Sequence, residues 1–304
     1  MRALATYIMR GPVQAVLVTA VLALVSLIPV LGMVSVLSGA AVALVTLRHG
    51  AKQGLMILLG ASLIISIFMY FIFGTMVLGL MFALLLWLPL LGLALVLRSN
   101  SSWSMLLDAV AAMGIAGIAL FYLLIGDPSQ FWQMALGKIL ELMSSQGGMV
   151  EMGQIEQQIP AMAEWMTGML AAALVMGLVL SMMLARWWQS LLFNPGGFQQ
   201  EFYALRQSKI AAFTALVILT LSLFDLGVVS NFAGDVMITV VVVYSIVGLA
   251  LIHALVAGSG KHPAWLVGIY VLLFIMPPQM MMALASAGFA DSWLDFRSRL
   301  SVTK

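Results

Sequence analysis

The sequence contains no cysteine, and this absence excludes several classes of function at once. Disulfide bonds, thiol catalysis, cysteine zinc sites and lipid attachment through a thiol all require this residue. Charge is scarce as well, because only 8% of the 304 residues are charged, against about 25% in soluble proteins. So few charged side chains cannot cover the surface of a soluble domain of this length. The net charge of +2 is too small to indicate nucleic-acid binding.

Sequence motifs for catalysis and nucleotide binding are also missing. The chain has no G-x-x-x-x-G-K-[ST] phosphate loop and therefore no ATPase site of that kind. It has neither the H-E-x-x-H motif of zinc proteases nor the G-x-S-x-G motif of serine hydrolases. Methionine is abundant, but without cysteine and with only three histidines we interpret it as apolar filling rather than a copper site. We therefore expect no catalytic residues, no metal site and no cofactor.

Long apolar runs extend along most of the sequence, which is 63% hydrophobic. A transmembrane helix needs about 20 apolar residues, so the runs predict an all-α, polytopic membrane bundle of eight to nine transmembrane segments. A double proline at Pro277-Pro278 leaves open whether the last run crosses the membrane. The predicted spans, in a single membrane domain over residues 1–304, cover residues 13–27, 34–47, 56–73, 77–97, 106–125, 161–190, 211–224, 236–255 and 264–287.

Residues 126–160 form a polar insert between two of these runs. Apolar residues such as Trp132 recur at helical spacing on one side of the segment, whereas Glu141 belongs to the other side. We therefore predict an extracytoplasmic amphipathic helix over residues 128–144 that lies along the membrane surface or on its own helical bundle. Pro160 is expected in the first turn of the next helix.

Basic residues indicate the orientation, because cytoplasmic loops carry an excess of lysine and arginine. With a cytoplasmic N-terminus, the basic loops fall inside and the acidic segments that hold Asp127 and Asp225 fall outside. The sequence thus predicts a multi-pass protein of the bacterial inner membrane, surrounded by the lipid bilayer. The basic loop residues are Arg48, Lys52, Arg98, Arg186, Arg206, Lys209 and Lys261.

The stretch ARWWQSLLFNPGGFQQEF, residues 185–202, combines basic, aromatic and turn residues between two apolar runs. Arginine and tryptophan are frequent where a helix leaves the membrane, and proline followed by two glycines fits a reverse turn. We interpret the stretch as a cytoplasmic elbow between two spans, with partner docking or gating as the alternative. The elbow residues are Arg186, Trp187, Trp188, Asn194, Pro195, Gly196, Gly197 and Phe198.

Polar residues at the outer ends of the spans are the candidates for ligand binding, because an entering solute meets them before the apolar core. These residues are Asp225, Asn231 and Asp235, with Glu164 as a neighbour. The alternative is that both aspartates cap helix ends. The predicted spans hold almost no carboxylate at mid-depth, which argues against a proton relay.

Three segments resemble the YybS-like family of uncharacterised bacterial polytopic membrane proteins: Arg48–Gly50, Ala185–Phe202 and Gly288–Arg299. The resemblance spans nearly the whole chain. That family has been grouped with the substrate-binding S components of energy-coupling-factor vitamin transporters. The resemblance therefore implies a small-molecule-binding or transport component whose ATPases are separate chains, and it assigns no catalytic residues.

A second function stays open, that of a structural or interaction protein without transport or catalytic activity. Ala112 and Ala116 have the small-xxx-small spacing that allows two helices to approach closely. The partners that these alternatives imply are a second copy of the chain, an assembly partner or separate transport subunits.

Overall fold

The computed structural model describes residues 1–145, 152–260 and 262–297, and within these ranges the chain forms helices and no strands. The all-α prediction is confirmed. Six helices of the described ranges are long and apolar enough to cross a membrane, or seven if a pair bent by 54° counts as one span. The predicted count of eight to nine is not confirmed. The six are Pro29–His49, Ala51–Phe73, Gly79–Asn100, Trp103–Ile125, Ile155–Phe193 and Val228–Gly258, and the bent pair is Gly197–Ala204 with Lys209–Leu223.

Short connections join the helices, as expected for a chain whose backbone polar groups must be satisfied within lipid. A 3-10 turn at Pro29–Val34 and a π-helical turn at Ala83–Trp87 lie between or inside longer helices. The α-helices are α1 (Arg2–Ile8), α2 (Pro12–Ser26), α3 (Ser35–His49), α4 (Ala51–Phe73), α5 (Val77–Phe82), α6 (Leu88–Asn100), α7 (Trp103–Ile125), α8 (Pro128–Ser145), α9 (Met152–Phe193), α10 (Gly197–Ala204), α11 (Lys209–Leu223), α12 (Val228–Gly258), α13 (Ala264–Ile275) and α14 (Pro277–Leu294).

The central helix of the bundle is α3, in which every residue from Ser38 to Leu47 is buried. Small residues such as Gly39 allow α2, α4, α6 and α9 to pack closely around it. Trp87, from the π-helical turn, is also fully buried, and its Nε1 donates a hydrogen bond to Ser38 Oγ (3.2 Å). The second apolar run of the sequence is therefore the core of the protein rather than a lipid-facing span.

The amphipathic helix predicted over residues 128–144 is present as α8, which packs along the first half of α9. Trp132 stacks on Phe121 of α7, and Trp132 Nε1 donates to Thr167 Oγ1 of α9 (2.8 Å). Glu141 is exposed, as expected for the polar side. Of the two predicted placements, the structure has the one in which the amphipathic helix lies on the helical bundle.

The predicted position of Pro160 in the first turn of a helix was wrong. α9 begins at Met152, so Pro160 lies inside it. This helix has 42 residues, about 63 Å at 1.5 Å per residue, which is longer than the predicted span over residues 161–190. A proline inside a helix costs one backbone hydrogen bond. α8 packs along this part of α9, beside the extra turns.

The last apolar run, residues 264–287, is interrupted at the double proline. α13 ends at Ile275 and α14 begins at Pro277, and neither helix is long and apolar enough to be a span by itself. α14 packs instead against α12. Gly248 and Gly288 lie at the crossing of these helices, where a Cβ on either residue would overlap the backbone of the other helix.

The bundle has two ends that carry different groups. The elbow end contains residues 186–198, where α9 leads into α10. The hairpin end contains α8, the first turns of α9 and the connection between α11 and α12. α7 runs between the two ends, because Trp103 bonds to Glu201 at the elbow end and Tyr122 bonds to Asp235 at the hairpin end.

Candidate functional site

The four polar residues that the sequence selects for ligand binding lie around one cavity at the hairpin end. The cavity has a volume of about 600 Å³, within the range of about 300–1,000 Å³ that is usual for small-molecule sites. Asp225 lies in the connection between α11 and α12, Asn231 and Asp235 lie in α12, and Glu164 lies in α9. Two distant parts of the chain, α9 and the segment 225–235, therefore meet at this cavity.

Asp235 is the buried carboxylate of the cavity, with only 4% of its surface exposed. Its Oδ2 accepts a hydrogen bond from the Tyr122 hydroxyl (2.8 Å), and its Oδ1 accepts one from the Gly168 backbone N–H (2.9 Å). Gly168 permits this approach because a Cβ there would collide with the Asp235 backbone. The alternative of a helix cap does not hold for Asp235, since α12 begins after Gly227 without a side-chain cap and Asp235 lies two turns inside it.

The side chains that line the cavity are acidic rather than basic. Among the described residues that line it, Asp127, Glu164, Asp225 and Asp235 carry carboxylates and none carries a basic group. The two neutral donors to Asp235 do not cancel its charge. Clefts that are lined by one sign of charge and walled by apolar helices concentrate ions of the opposite sign. Within the described ranges, no three His, Asp or Glu side chains are arranged to hold a metal ion.

Sequence reasoning missed Tyr122 and the aromatic residues Trp165 and Phe224, which also line the cavity. Tyrosine and tryptophan near the end of an apolar run are common wherever a helix reaches the membrane surface. Their presence alone therefore does not distinguish a cavity wall from a lipid-facing position. Only the rotation of α7 about its axis, which packing decides, brings the Tyr122 hydroxyl to Asp235, whereas Trp165 and Phe224 line the cavity and stay more than half exposed.

The elbow residues meet at the opposite end of the bundle, around an ion pair. Arg186 Nε donates to Glu201 Oε2 (2.9 Å), and the Arg186 Nη2 contacts the second carboxylate oxygen. Trp103 Nε1 donates to the same carboxylate (3.0 Å). The sequence did not identify Glu201 as the partner, because the pair forms only when α10 folds back against α9. This two-point geometry holds α7, α9 and α10 together.

The predicted reverse turn is present at Asn194–Gly197. The Gly197 N–H donates to the Asn194 carbonyl (3.0 Å), and Gly196 has a φ of +86°, a conformation that favours glycine. Ser190 Oγ closes the elbow from the inside, since it donates to the Asn194 carbonyl (2.7 Å) and accepts from the Phe198 N–H (3.2 Å). The elbow is thus a hydrogen-bonded connection rather than an open loop.

The two tryptophans of the elbow differ in their surroundings. Trp188 is fully buried in the core, whereas Trp187 is partly exposed. The two residues follow one another on a helix and therefore point in directions about 100° apart, which is the rotation per residue at 3.6 residues per turn. Burial of Trp188 makes it a packing residue of the bundle.

We expect the Arg186–Glu201 pair to stabilise the elbow measurably. Both side chains are only 27% exposed, so Glu201→Gln should lower the free energy of unfolding by about 1–3 kcal/mol, the cost of an unmatched charged hydrogen bond. Arg186→Gln should cost a similar amount, and the double variant should cost less than the sum. Thermal unfolding of the two single variants and the double variant in detergent measures these costs. If the cost of the double variant equals the sum of the single costs, the two side chains do not interact directly.

Comparisons with known proteins give a family but no activity. No curated protein and no solved structure matches the chain. One family model, described as "Predicted membrane protein (DUF2232)", matches residues 16–292. The match covers nearly the whole chain, including the cavity and the elbow, and its description names no substrate, no partner and no transport system. The chain therefore belongs to the DUF2232 family of predicted membrane proteins.

Proposed function

We propose that this protein binds a small cationic solute in the cavity at the hairpin end, as a binding or transport component within the membrane. The observation that carries the proposal is the buried carboxylate of Asp235 in a cavity of about 600 Å³ that has no basic residue in its described lining. Glu164 and Asp225 add exposed carboxylates at the rim. A cation is the complement of this charge distribution.

Aromatic residues in the lining favour an organic cation over a bare metal ion. Trp165 and Phe224 line the cavity beside the carboxylates, and Tyr122 places its ring next to Asp235. The faces of aromatic rings attract ammonium and quaternary ammonium groups. Tyr122 is held in place by its hydrogen bond to Asp235 and by an edge-to-face contact with Phe232 (5.6 Å between ring centroids).

In this proposal the chain binds the solute and catalyses no reaction. The resemblance to YybS-like proteins, and through them to S components, supports a role in which separate chains supply the energy for transport. The absence of a phosphate loop in the sequence agrees with that division. The proposed location is the bacterial inner membrane, with the elbow end in the cytoplasm and the hairpin end on the outer side.

Ligand-induced stabilisation tests the proposed binding. The purified protein is heated with organic cations, such as tetramethylammonium, choline and spermidine, and with the uncharged glycerol and the anionic citrate as controls. A ligand at 100 times its Kd should stabilise the folded state by about 2.7 kcal/mol. We expect at least one cation, and neither control, to raise the unfolding temperature. If the cations and the controls change the unfolding temperature equally, the acidic cavity is not a cation site.

Cysteine labelling tests the proposed orientation, and the cysteine-free chain provides a clean background. Glu141 is exposed at the hairpin end and Gln200 is exposed at the elbow end. We expect Glu141→Cys to react with an impermeant maleimide in intact spheroplasts and Gln200→Cys to react only after lysis. The reverse pattern would show that the two ends have been assigned to the wrong sides of the membrane.

One observation favours the alternative function, that of an interaction protein. Ala112 and Ala116 are both exposed on α7, so the small-residue face that they form is open on the surface of the chain. Small residues allow close contact between helices in lipid. Disulfide cross-linking of Ala112→Cys in native membranes tests it, with Leu63→Cys at an exposed position of α4 as the control. Dimers that form at residue 112 only would support self-association.

A further inference from the structure

The first part of the chain carries basic residues with no acidic residue to balance them. Between Met1 and Leu107 the sequence contains no aspartate and no glutamate. No ion pair is present for these basic residues within the described ranges. The basic residues of this part are Arg2, Arg10, Arg48, Lys52 and Arg98.

Two of these arginines converge with a histidine on a crevice at the elbow end. Two adjoining cavities, of about 250 and 430 Å³, open between the turn that joins α1 to α2 and the C-terminal end of α3. Arg10 and His49 line both cavities, and Arg48 lines the larger one. Together these two cavities form the basic crevice, whose described lining contains no carboxylate.

Aromatic contacts position the two arginines at the rim of the basic crevice. The Arg48 guanidinium lies over the Phe193 ring, with 4.3 Å between the guanidinium carbon and the ring centroid. The Arg10 guanidinium lies 5.7 Å from the centroid of the Tyr7 ring. Such contacts orient a guanidinium group without neutralising it, so both charges remain available to an anion.

The inner wall of the basic crevice is aliphatic. Ala15 and Val45 line the smaller cavity together with Ile8 and Ile57, and each of the four faces it with only a small part of its side chain. The crevice thus joins a cationic rim to a hydrocarbon wall. Free phosphate would use only the rim, whereas a lipid would use both parts.

We propose that the basic crevice binds an anionic phospholipid, with the phosphate between Arg10, Arg48 and His49 and an acyl chain along the aliphatic wall. Basic pockets between membrane helices are suited to anionic headgroups. The positive-inside rule accounts for basic residues in loops of this kind. It does not account for two arginines and a histidine, from two separate segments, around one crevice with an aliphatic wall.

Titration with lipids of defined headgroup tests the proposal on the purified full chain in an uncharged detergent. The probes are dioleoyl phosphatidylglycerol and, as the zwitterionic reference, dioleoyl phosphatidylcholine. Bound lipids are counted by native mass spectrometry, and stabilisation is followed by thermal unfolding. We expect saturable binding of phosphatidylglycerol that weakens as the salt concentration rises, and no saturable binding of phosphatidylcholine.

A double variant with a matched control locates the site. Each cation near an anionic lipid surface contributes about 1 kcal/mol, so Arg10→Gln with Arg48→Gln should weaken phosphatidylglycerol binding about 30-fold. Arg2→Gln with Lys209→Gln removes the same charge from exposed positions outside the crevice and should change the affinity less than about threefold. Arg10→Lys with Arg48→Lys, which keeps both charges, should retain most of the binding.

Three results would overturn the proposal. Equal losses of phosphatidylglycerol affinity in the crevice variant and in the control variant would mean that lipid binding depends only on the overall charge of the protein. If a crevice variant that unfolds at the normal temperature binds phosphatidylglycerol with unchanged affinity, the basic crevice is not the binding site. Stabilisation by millimolar sn-glycerol 3-phosphate equal to that by phosphatidylglycerol would show a free-phosphate site that makes no use of the aliphatic wall.

Discussion

Replacement of Gly248 by alanine is expected to prevent α14 from docking on α12 and to lower the stability of the protein strongly. The ideal Cβ at this position would overlap the Leu284 carbonyl oxygen, which belongs to the helix backbone and cannot rotate away. The helices would have to separate along their crossing. Overpacking of a close contact costs about 1–3 kcal/mol, and the rigidity of the backbone places Gly248→Ala at the upper end of that range.

Gly177 provides the matched control for this substitution. It lies inside α9, and a Cβ there meets nothing within 4 Å. Alanine stabilises a helix interior by up to about 1 kcal/mol relative to glycine, so Gly177→Ala should raise the unfolding temperature while Gly248→Ala lowers it. Thermal unfolding in detergent measures both. If Gly248→Ala is as stable as the original protein, α12 and α14 do not make the close contact described above.

The close contact of α12 and α14 was not predictable from the sequence. Glycine is frequent in membrane helices, and Gly248 and Gly288 are 40 positions apart in the sequence. The sequence did indicate that Pro277-Pro278 breaks the last run, because proline lacks the N–H that a continuing helix needs. It did not indicate that the second half packs on α12, since that depends on side-chain fit between distant segments.

The helical class followed from the lengths of the apolar runs, because lipid allows few alternatives to helices. The same argument cannot rank the helices by depth in the bundle. α3 is buried along most of its length and α7 exposes much of its surface, yet both are apolar. In lipid the outside of a bundle is as apolar as its inside, so hydropathy does not distinguish a central helix from a peripheral one.

The candidate site was predictable in part, because polar groups at neighbouring span ends are brought together when the spans pack side by side. Glu164, Asp225, Asn231 and Asp235 do line one cavity. Which of them is buried was not predictable. The predicted span began at residue 236, whereas α12 begins at Val228, and these additional turns place Asp235 inside the helix. Ligand binding by the four residues stays a prediction.

Asp235→Asn is expected to abolish most cation binding while leaving the fold nearly unchanged. Asparagine has almost the same shape, so its Oδ1 still accepts from the Gly168 N–H and its Nδ2 donates to the Tyr122 oxygen. The charge is lost. Hydrogen bonds to charged groups contribute about 1.5–3 kcal/mol, which corresponds to a loss of affinity of roughly tenfold to more than a hundredfold.

Asp235→Ala separates the charge of this group from its structural role. Alanine leaves the buried Tyr122 hydroxyl and the Gly168 N–H without their partner, at a cost of about 1–3 kcal/mol for each unsatisfied group. The unfolding temperature should therefore fall in the Asp235→Ala variant and stay nearly unchanged in the Asp235→Asn variant, whereas both variants should lose cation binding. Glu164→Gln is the matched control, because it removes one exposed carboxylate from the rim, where water screens the charge, and should weaken binding only about threefold or less. Normal cation binding by a stably folded Asp235→Asn variant would mean that the buried carboxylate joins α7, α9 and α12 together and takes no part in recognising a solute.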